Sequence, residues 1–426
     1  MQTTVIDRQE IVRRSITLRF ENGEKMNRRI KVIVPLFVAM ILVMTGCWSR
    51  IEVNDISIVT AMAIDKQKDG NIQIALQIPI PSRLSSSGSA GNGGGGTENS
   101  PSALLVSEKG STIMDAYRRL EEKLSRRVFF SQLRFVIIGE QAARDGIKPL
   151  LDFFVRGNTS RPRSYILFSE GQGVDMLKLS SALERYSTEV IREEEKLGTG
   201  VQVMQSEFVD MLSSKGMAAV AAKVMKRKPD PSDHRGPDSN PNNKDTPAIA
   251  GTAVIREGKL VGWLNEEETR GLLWMKDKLK KAVITADVPN ERGGGKISVQ
   301  IIKGRTKLKA LLQDYNVKFV ATVRTKCELL ENSSKLDASK PQDLRYMGTL
   351  LEKDLEKRIQ DTVDQAQKLK ADIFGFGNML YQSHPSVWNG HFKDEWASRF
   401  SQLEILTDTQ VTIVRTGLTN KSIHIE

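Results

Sequence analysis

Six side chains of this 426-residue chain carry thiol or imidazole chemistry: Cys47, Cys327, His234, His384, His391 and His424. A zinc site needs such ligands at short, regular spacing. The chain has neither His-Glu-x-x-His nor Cys-x-x-Cys, so no metal is expected. There is no Gly-x-Ser-x-Gly elbow to expose a nucleophilic serine. Gly171-Gln172-Gly173 is too short for a dinucleotide fingerprint. The glycine run 93–96 lacks the Gly-Lys-Ser/Thr and following helix of a phosphate cradle. Glu266-Glu267-Glu268 reads as a solvated turn leading into a helix. No catalytic residue and no cofactor are therefore expected. Cys327 falls on the apolar side of a strand, Val317, Phe319, Ala321, Val323, Thr325, Cys327, opposite Lys318, Thr322, Arg324 and Lys326, and reads as a core thiol.

Cys47 differs from the other five because its neighbours prescribe a reaction. The segment Asn27-Arg28-Arg29-Ile30-Lys31 is basic, and the apolar run Val32–Met44 that follows spans about thirteen residues, where a membrane-spanning helix needs roughly twenty. A basic segment, a short apolar segment and a small-residue boundary describe a secretory signal peptide. Its boundary, Met44-Thr45-Gly46-Cys47, resembles a bacterial lipobox, with Met where Leu is more usual. That motif implies a diacylglyceryl group on the Cys47 thiol and cleavage between Gly46 and Cys47. With Cys47 lipidated, no intramolecular disulfide can form. Residues 1–25 then stand in front of the leader without helical periodicity, which favours a translation start at Met26 over one at Met1.

The formal charge is +11, of which residues 1–46 contribute +4 and the chain from Cys47 +7. A mildly basic surface favours an anionic membrane or nucleic acid. The segment 117–135 interleaves arginines with aromatics, but it reads as an amphipathic helix running into a buried strand. Export argues further against nucleic acid.

Alternating Ile and polar residues around Asp69-Gly70 predict a hairpin. Ser111 is placed to cap a helix with the face Ile113, Tyr117, Leu120, Leu124, a buried strand is expected at 133–138, and one helix over 141–155. Two strands flank Glu257-Gly258-Lys259. Strands are expected at 297–302, 308–312 and 317–329, a long helix from Pro341, and a final strand at 409–415. This pattern predicts a mixed α/β (α+β) fold of three successive domains, each a β-sheet flanked by α-helices. The expected divisions are an extension (1–25), a signal peptide (26–46), an N-terminal domain (47–182, flexible loop 83–102), a middle domain (183–290, flexible loop 227–247) and a C-terminal domain (291–426).

Several stretches together resemble the Ger(x)C lipoprotein family, the C subunit of the nutrient germinant receptors of endospore-forming bacteria. They are GCWSRIEVNDISIVTAMAID, SQLRFVIIGEQAARDGIKPLLDFFVR, GTAVIREGKLVGWLNEEETRGLLW and ADIFGFGNMLYQSHPSVW, followed by VTIVRTGLTNKS. The resemblance runs in order over nearly the whole chain from Met26. It implies a non-enzymatic, lipid-tethered protein on the outer, non-cytoplasmic face of the spore inner membrane. Its partners would be two integral membrane subunits, of A and B type, and its role receptor assembly and nutrient-triggered germination. Phe374, Phe376 and Arg415 are the candidate partner contacts; packing within the chain is the competing reading for the two rings. Direct nutrient binding is left open. The alternative from another class is a solute-binding lipoprotein of an ABC importer, which shares the lipobox and a two-lobed α/β architecture.

Overall fold

The computed structural model describes residues 55–81, 101–157, 163–179, 184–198, 200–228, 245–279, 282–313 and 316–417. The expected leader, Cys47 and the greater part of both expected loops lie outside them. Residues 57–426 belong to one compact unit, the larger of two. The larger unit has a mixed α/β architecture of β-sheets flanked by helices, as expected.

The predicted hairpin is β2 (Ala61–Lys66) and β3 (Ile72–Pro79), paired antiparallel from Ala61↔Gln77 to Lys66↔Ile72. Gly70 takes the left-handed conformation that the turn requires, at φ 85°. Both faces of β2 are covered, because its side chains alternate in size. Met62 and Ile64 enter the main hydrophobic core, whereas Ala61 and Ala63 face a second cluster with Val174, Met176 and Leu177. Small residues on one face let helix α4 (Gly173–Lys178) approach closely: a Cβ on Gly173 would lie 3.0 Å from the Ile137 carbonyl oxygen.

This hairpin lies toward one edge of an eight-stranded sheet in the order β10-β9-β8-β7-β6-β2-β3-β4, with only β4 beyond it. The other members are β4 (Ala103–Gly110), β6 (Phe135–Gly139), β7 (Tyr165–Ser169), β8 (Ala219–Arg227), β9 (Thr246–Arg256) and β10 (Lys259–Leu264). Strands β2, β6, β7 and β8 run parallel, with helical crossovers between the last three. A short ribbon pairs β1 (Ile56–Ile58) with β5 (Arg127–Phe129). Helix α1 (Ile113–Lys123) buries Ile113, Tyr117 and Leu120 as expected, but Thr112 caps it, accepting from the Asp115 amide at 3.1 Å. Ser111 instead donates to the Asp115 carboxylate. The helix expected over 141–155 is two: α2 (Glu140–Asp145) and α3 (Lys148–Arg156). Gly146, at φ 137°, breaks it, and Pro149 starts the second piece. Strand β4 is absent from the sequence-based expectation, which placed nothing between the Gly/Ser loop and the capping serine. Helices α5 (Ser187–Leu197) and α6 (Gln205–Ser213) precede β8.

Strands expected to belong to separate N-terminal and middle domains share this sheet, since β7 and β8 pair directly, Leu167↔Ala222 to Ser169↔Val224. Likewise β11 (Val283–Asp287) joins the C-terminal sheet, whose order is β11-β12-β13-β14. Its long strands are β12 (Lys296–Gln313) and β13 (Asn316–Asn332), with β14 (Ile405–Arg415) parallel to β13. The two strands expected within 297–312 are this single β12. A bulge at Ile302 shifts the register between Ile301↔Cys327 and Lys303↔Lys326, so the inward side switches from odd to even numbers. That phase change interrupts the period-2 pattern without interrupting the strand.

Helix α7 (Glu266–Met275) opens with a capping box: the Glu268 amide donates to Asn265, and the Asn265 amide to the Glu268 carboxylate. Helix α8 (Pro341–Lys368) buries Met347, Leu351, Leu355, Ile359, Val363 and Ala366, packing on β14 and α7. The α7–α8 contact is close because residue 271 lacks a side chain; a Cβ there would sit 1.9 Å from Thr362 Oγ1.

One buried acid ties the larger sheet to its helices. Asp65, 2 % exposed at the end of β2, accepts from the amides of Gly173 (2.6 Å) and Val174 (2.9 Å) at the start of α4. Burial raises its pKa above the ordinary carboxylate value, opposed by these two hydrogen bonds. Asp65→Ala leaves two buried N–H groups without an acceptor and should lower unfolding free energy by about 3 kcal/mol. Urea unfolding of the variant against the parent chain measures it, and a loss under about 0.5 kcal/mol would show that the anchor is dispensable.

Candidate functional site: the Phe-Gly-Phe-Gly junction and the C-terminal sheet

After α8 the chain turns through Lys370, which has a positive φ of 50°, into Asp372-Ile373-Phe374-Gly375-Phe376-Gly377. Arg256 holds the turn by donating to the Leu369 carbonyl at 2.9 Å. The Asp372 side chain is buried and gathers donors from four groups. These are the amides of Phe374 (3.2 Å), Gly375 (2.8 Å) and Gly377 (2.7 Å), and the indole N–H of Trp396 (3.2 Å). Its backbone carbonyl accepts from Ala218, beside β8 of the larger sheet, at 2.8 Å. Burial pushes the Asp372 carboxyl up from its ordinary pKa, and the hydrogen bonds oppose that shift.

Helix α9 (Phe376–Ser383) starts here with Gly375 as its left-handed cap, at φ 87°. The Phe376 ring stacks on Phe319 of β13 with centroids 4.2 Å apart, and Phe374 lies 5.3 Å from Phe376. Beyond the short helix α10 (Pro385–Val387), Trp388 and Phe392 lie in a π-helical turn, and Trp396 begins α11 (Trp396–Phe400). Trp388 and Phe392 both approach Trp396, at 5.2 and 6.1 Å. Gly377 is required by this packing, since a Cβ would come within 2.7 Å of Trp396 Nε1 and 2.9 Å of the Gly216 Cα.

The junction therefore packs the C-terminal sheet against residues 216–218 at the start of β8. Phe374 and Phe376, candidates for partner contact with packing within the chain as the competing reading, are 7 % and 0 % exposed within the chain. A partner subunit reaches neither ring while Asp372 holds the turn. Arg415 is different: it ends β14 with its side chain 68 % exposed, 3.8 Å from Glu328. It belongs to the outward face of the sheet, where Lys318 pairs with Glu404 (2.6 Å) and Arg324 with Asp408 (2.7 Å). The inward face carries Val317, Phe319, Ala321, Val323, Thr325 and Cys327, all buried as the alternation predicts. Cys327 is a core thiol whose pKa burial raises to about 11, which suppresses the nucleophilic thiolate.

An open depression of about 900 Å³ lies at the carboxyl ends of β2 and β6, the usual place for a ligand in an open α/β sheet. Its charges largely satisfy one another: Lys66 pairs with Asp145 at 2.8 Å and Arg144 with Glu140 at 2.7 Å. The adjacent α4 amides are taken by Asp65. Among the described residues no group of three or more His, Cys, Asp or Glu could hold a metal ion. The outward charges of β12, which form the most distinctive surface, were not singled out from the sequence; the bulge at Ile302 concealed their common side.

Two protein-family models match the chain. One, the spore germination protein N-terminal domain, covers residues 49–226; the other, spore germination B3/GerAC like, C-terminal, covers residues 250–417. YfkR of Bacillus subtilis (strain 168) is 31 % identical over 393 residues, covering 92 % of this chain and 98 % of its own. Spore germination protein KC of the same organism is 27 % identical over 407 residues, covering 92 % and 97 %. The crystal structure of the GerBC protein superposes with a TM-score of 0.51 at 18 % identity, over 83 % of this chain and 96 % of that one, which establishes a shared fold.

The junction makes a testable demand. Asp372→Ala strands four donors and should destabilise the chain by at least about 3 kcal/mol, with Asp372→Asn intermediate. The raised pKa favours the neutral acid in the folded chain. Its contribution is thus fully present below the unfolded carboxylate pKa, about 3.9, and is lost as pH rises through the folded value. The stability advantage over Asp372→Asn should accordingly shrink as pH rises through the acid range. Thermal unfolding from pH 3 to 7 measures this, and an advantage that grows with pH would contradict it.

Proposed function

Because the chain belongs to the Ger(x)C family of spore germination proteins, we propose that it is the lipid-anchored C subunit of a nutrient germinant receptor. In this reading it is held on the outer, non-cytoplasmic face of the spore inner membrane and assembles with two integral membrane subunits, of A and B type. It performs no catalysis. The carrying observation is one of position: the family match begins at residue 49, just after Gly46-Cys47, where the apolar leader ends.

Among the described residues no helix is long and apolar enough to cross a membrane, so in this reading attachment rests on Cys47. One acyl chain binds a membrane marginally and two anchor it firmly, so a diacylglyceryl thioether suffices. Confinement to the surface then raises the effective concentration of the subunit beside its partners, which favours assembly without requiring a large interface. Arg415 offers an exposed contact, and Phe374 and Phe376 support the sheet from inside. The nearly full-length match to germination proteins favours this role over the importer-binding protein.

Cys47→Ala should move the protein out of the membrane fraction and lower nutrient-triggered germination. A tagged parent chain, drawn from detergent-solubilised spore membranes, should bring two multi-span proteins with it, as mass spectrometry would identify. Recovery of a permease with its ATPase, or intact assembly and germination in Cys47→Ala, would overturn the reading.

A further inference from the structure

Among the described residues, β12 beyond Ile301 pairs only with β13, and its outward side chains include Lys303, Arg305, Lys307 and Lys309, all exposed. The register sets like charges directly opposite one another: Lys303 faces Lys326 and Arg305 faces Arg324. Such cross-strand pairs destabilise a sheet. Lysine on an edge strand commonly blocks edge-to-edge pairing, but that purpose needs no cations on the interior neighbour β13. Three acids of this face, Glu404, Asp408 and Glu328, are already engaged with Lys318, Arg324 and Arg415. Among the described residues, the four β12 cations and Lys326 have no acid within ion-pair distance.

Apolar side chains continue the same face. Lys309 is opposite Val320, which is opposite Leu406, and Leu311 is opposite Lys318. Leu311 and Leu406 are 51 % and 44 % exposed. Cations beside exposed leucines on one sheet face match a membrane interface, where headgroup phosphates take the charges and the acyl boundary takes the apolar side chains. A nucleic acid backbone would use the cations and leave the leucines in water.

We propose that this outward face of β12–β14 docks onto anionic phospholipid headgroups. The proposal rests on the membrane placement above for its location. Lipid anchoring would then hold the protein at the membrane, and this face would set which side of the sheet meets it.

The test uses the complete lipidated chain in phosphatidylcholine vesicles with and without phosphatidylglycerol, probed by an amine-reactive label and mass spectrometry. Retention on neutral vesicles reports the anchor alone, so failure there would indict the tether and not the face. Labelling of Lys303, Lys307 and Lys309 should fall at least about fivefold on anionic vesicles and recover in 1 M salt, where charge is screened within about 3 Å. Lys353 and Lys357, exposed on α8, should label equally on both. Lys326→Glu should raise the melting temperature, by relieving the Lys303 repulsion, while abolishing the protection. Equal labelling on both vesicles overturns the proposal, as would equal protection of the leucine-flanked lysines by duplex DNA in place of lipid.

Discussion

A carboxyl group taken fully out of water must be surrounded by hydrogen-bond partners, and Asp372 meets that demand by folding the following five residues around itself. Much of the C-terminal architecture follows from that constraint. Because the turn wraps the acid, Phe376 is delivered onto Phe319, and Trp396 is fixed by its indole N–H. Because Trp396 then lies over Gly377 and Gly216, the C-terminal elements meet the start of β8 at a position where any side chain would intrude. The two sheets are joined through glycines and aromatic rings organised by a single acid.

Asp65, in the larger sheet, solves a similar problem with a different result. Its carboxylate takes the amides at the start of α4, the groups that an open α/β sheet often leaves for an anionic ligand. Gly139 must lack a side chain for this to happen, since a Cβ there would fall 2.0 Å from Asp65 Oδ1. A position suited to a ligand is thereby used to hold the fold together.

Charge is distributed unevenly against this frame. The helices carry acid–base pairs of i,i+4 spacing, such as Arg144 with Glu140 and Arg358 with Asp354, each of small energetic consequence when exposed. The long C-terminal strands instead concentrate cations on one outward surface and place some of them opposite each other. A modest basic excess over the whole chain therefore says little; its arrangement carries the information. Register creates that arrangement, with the bulge at Ile302 turning the odd-numbered cations outward.

The sequence by itself determined the hairpin around Asp69-Gly70, the inward side of β13, the long helix from Pro341 and the family. Each is written in local periodicity, in a boundary between residue types, or in ordered motifs. Tertiary structure alone decided that β7 and β8 pair, carrying one sheet across an expected domain edge, because partners far apart along the chain leave no local period. It alone decided that β12 is one strand, since the bulge at Ile302 reverses the alternation that reading depends on. It also placed Phe374 and Phe376 inside. An aromatic between glycines has the same spacing whether it faces a partner or a core, and the choice was made by a buried acid that draws the backbone around it.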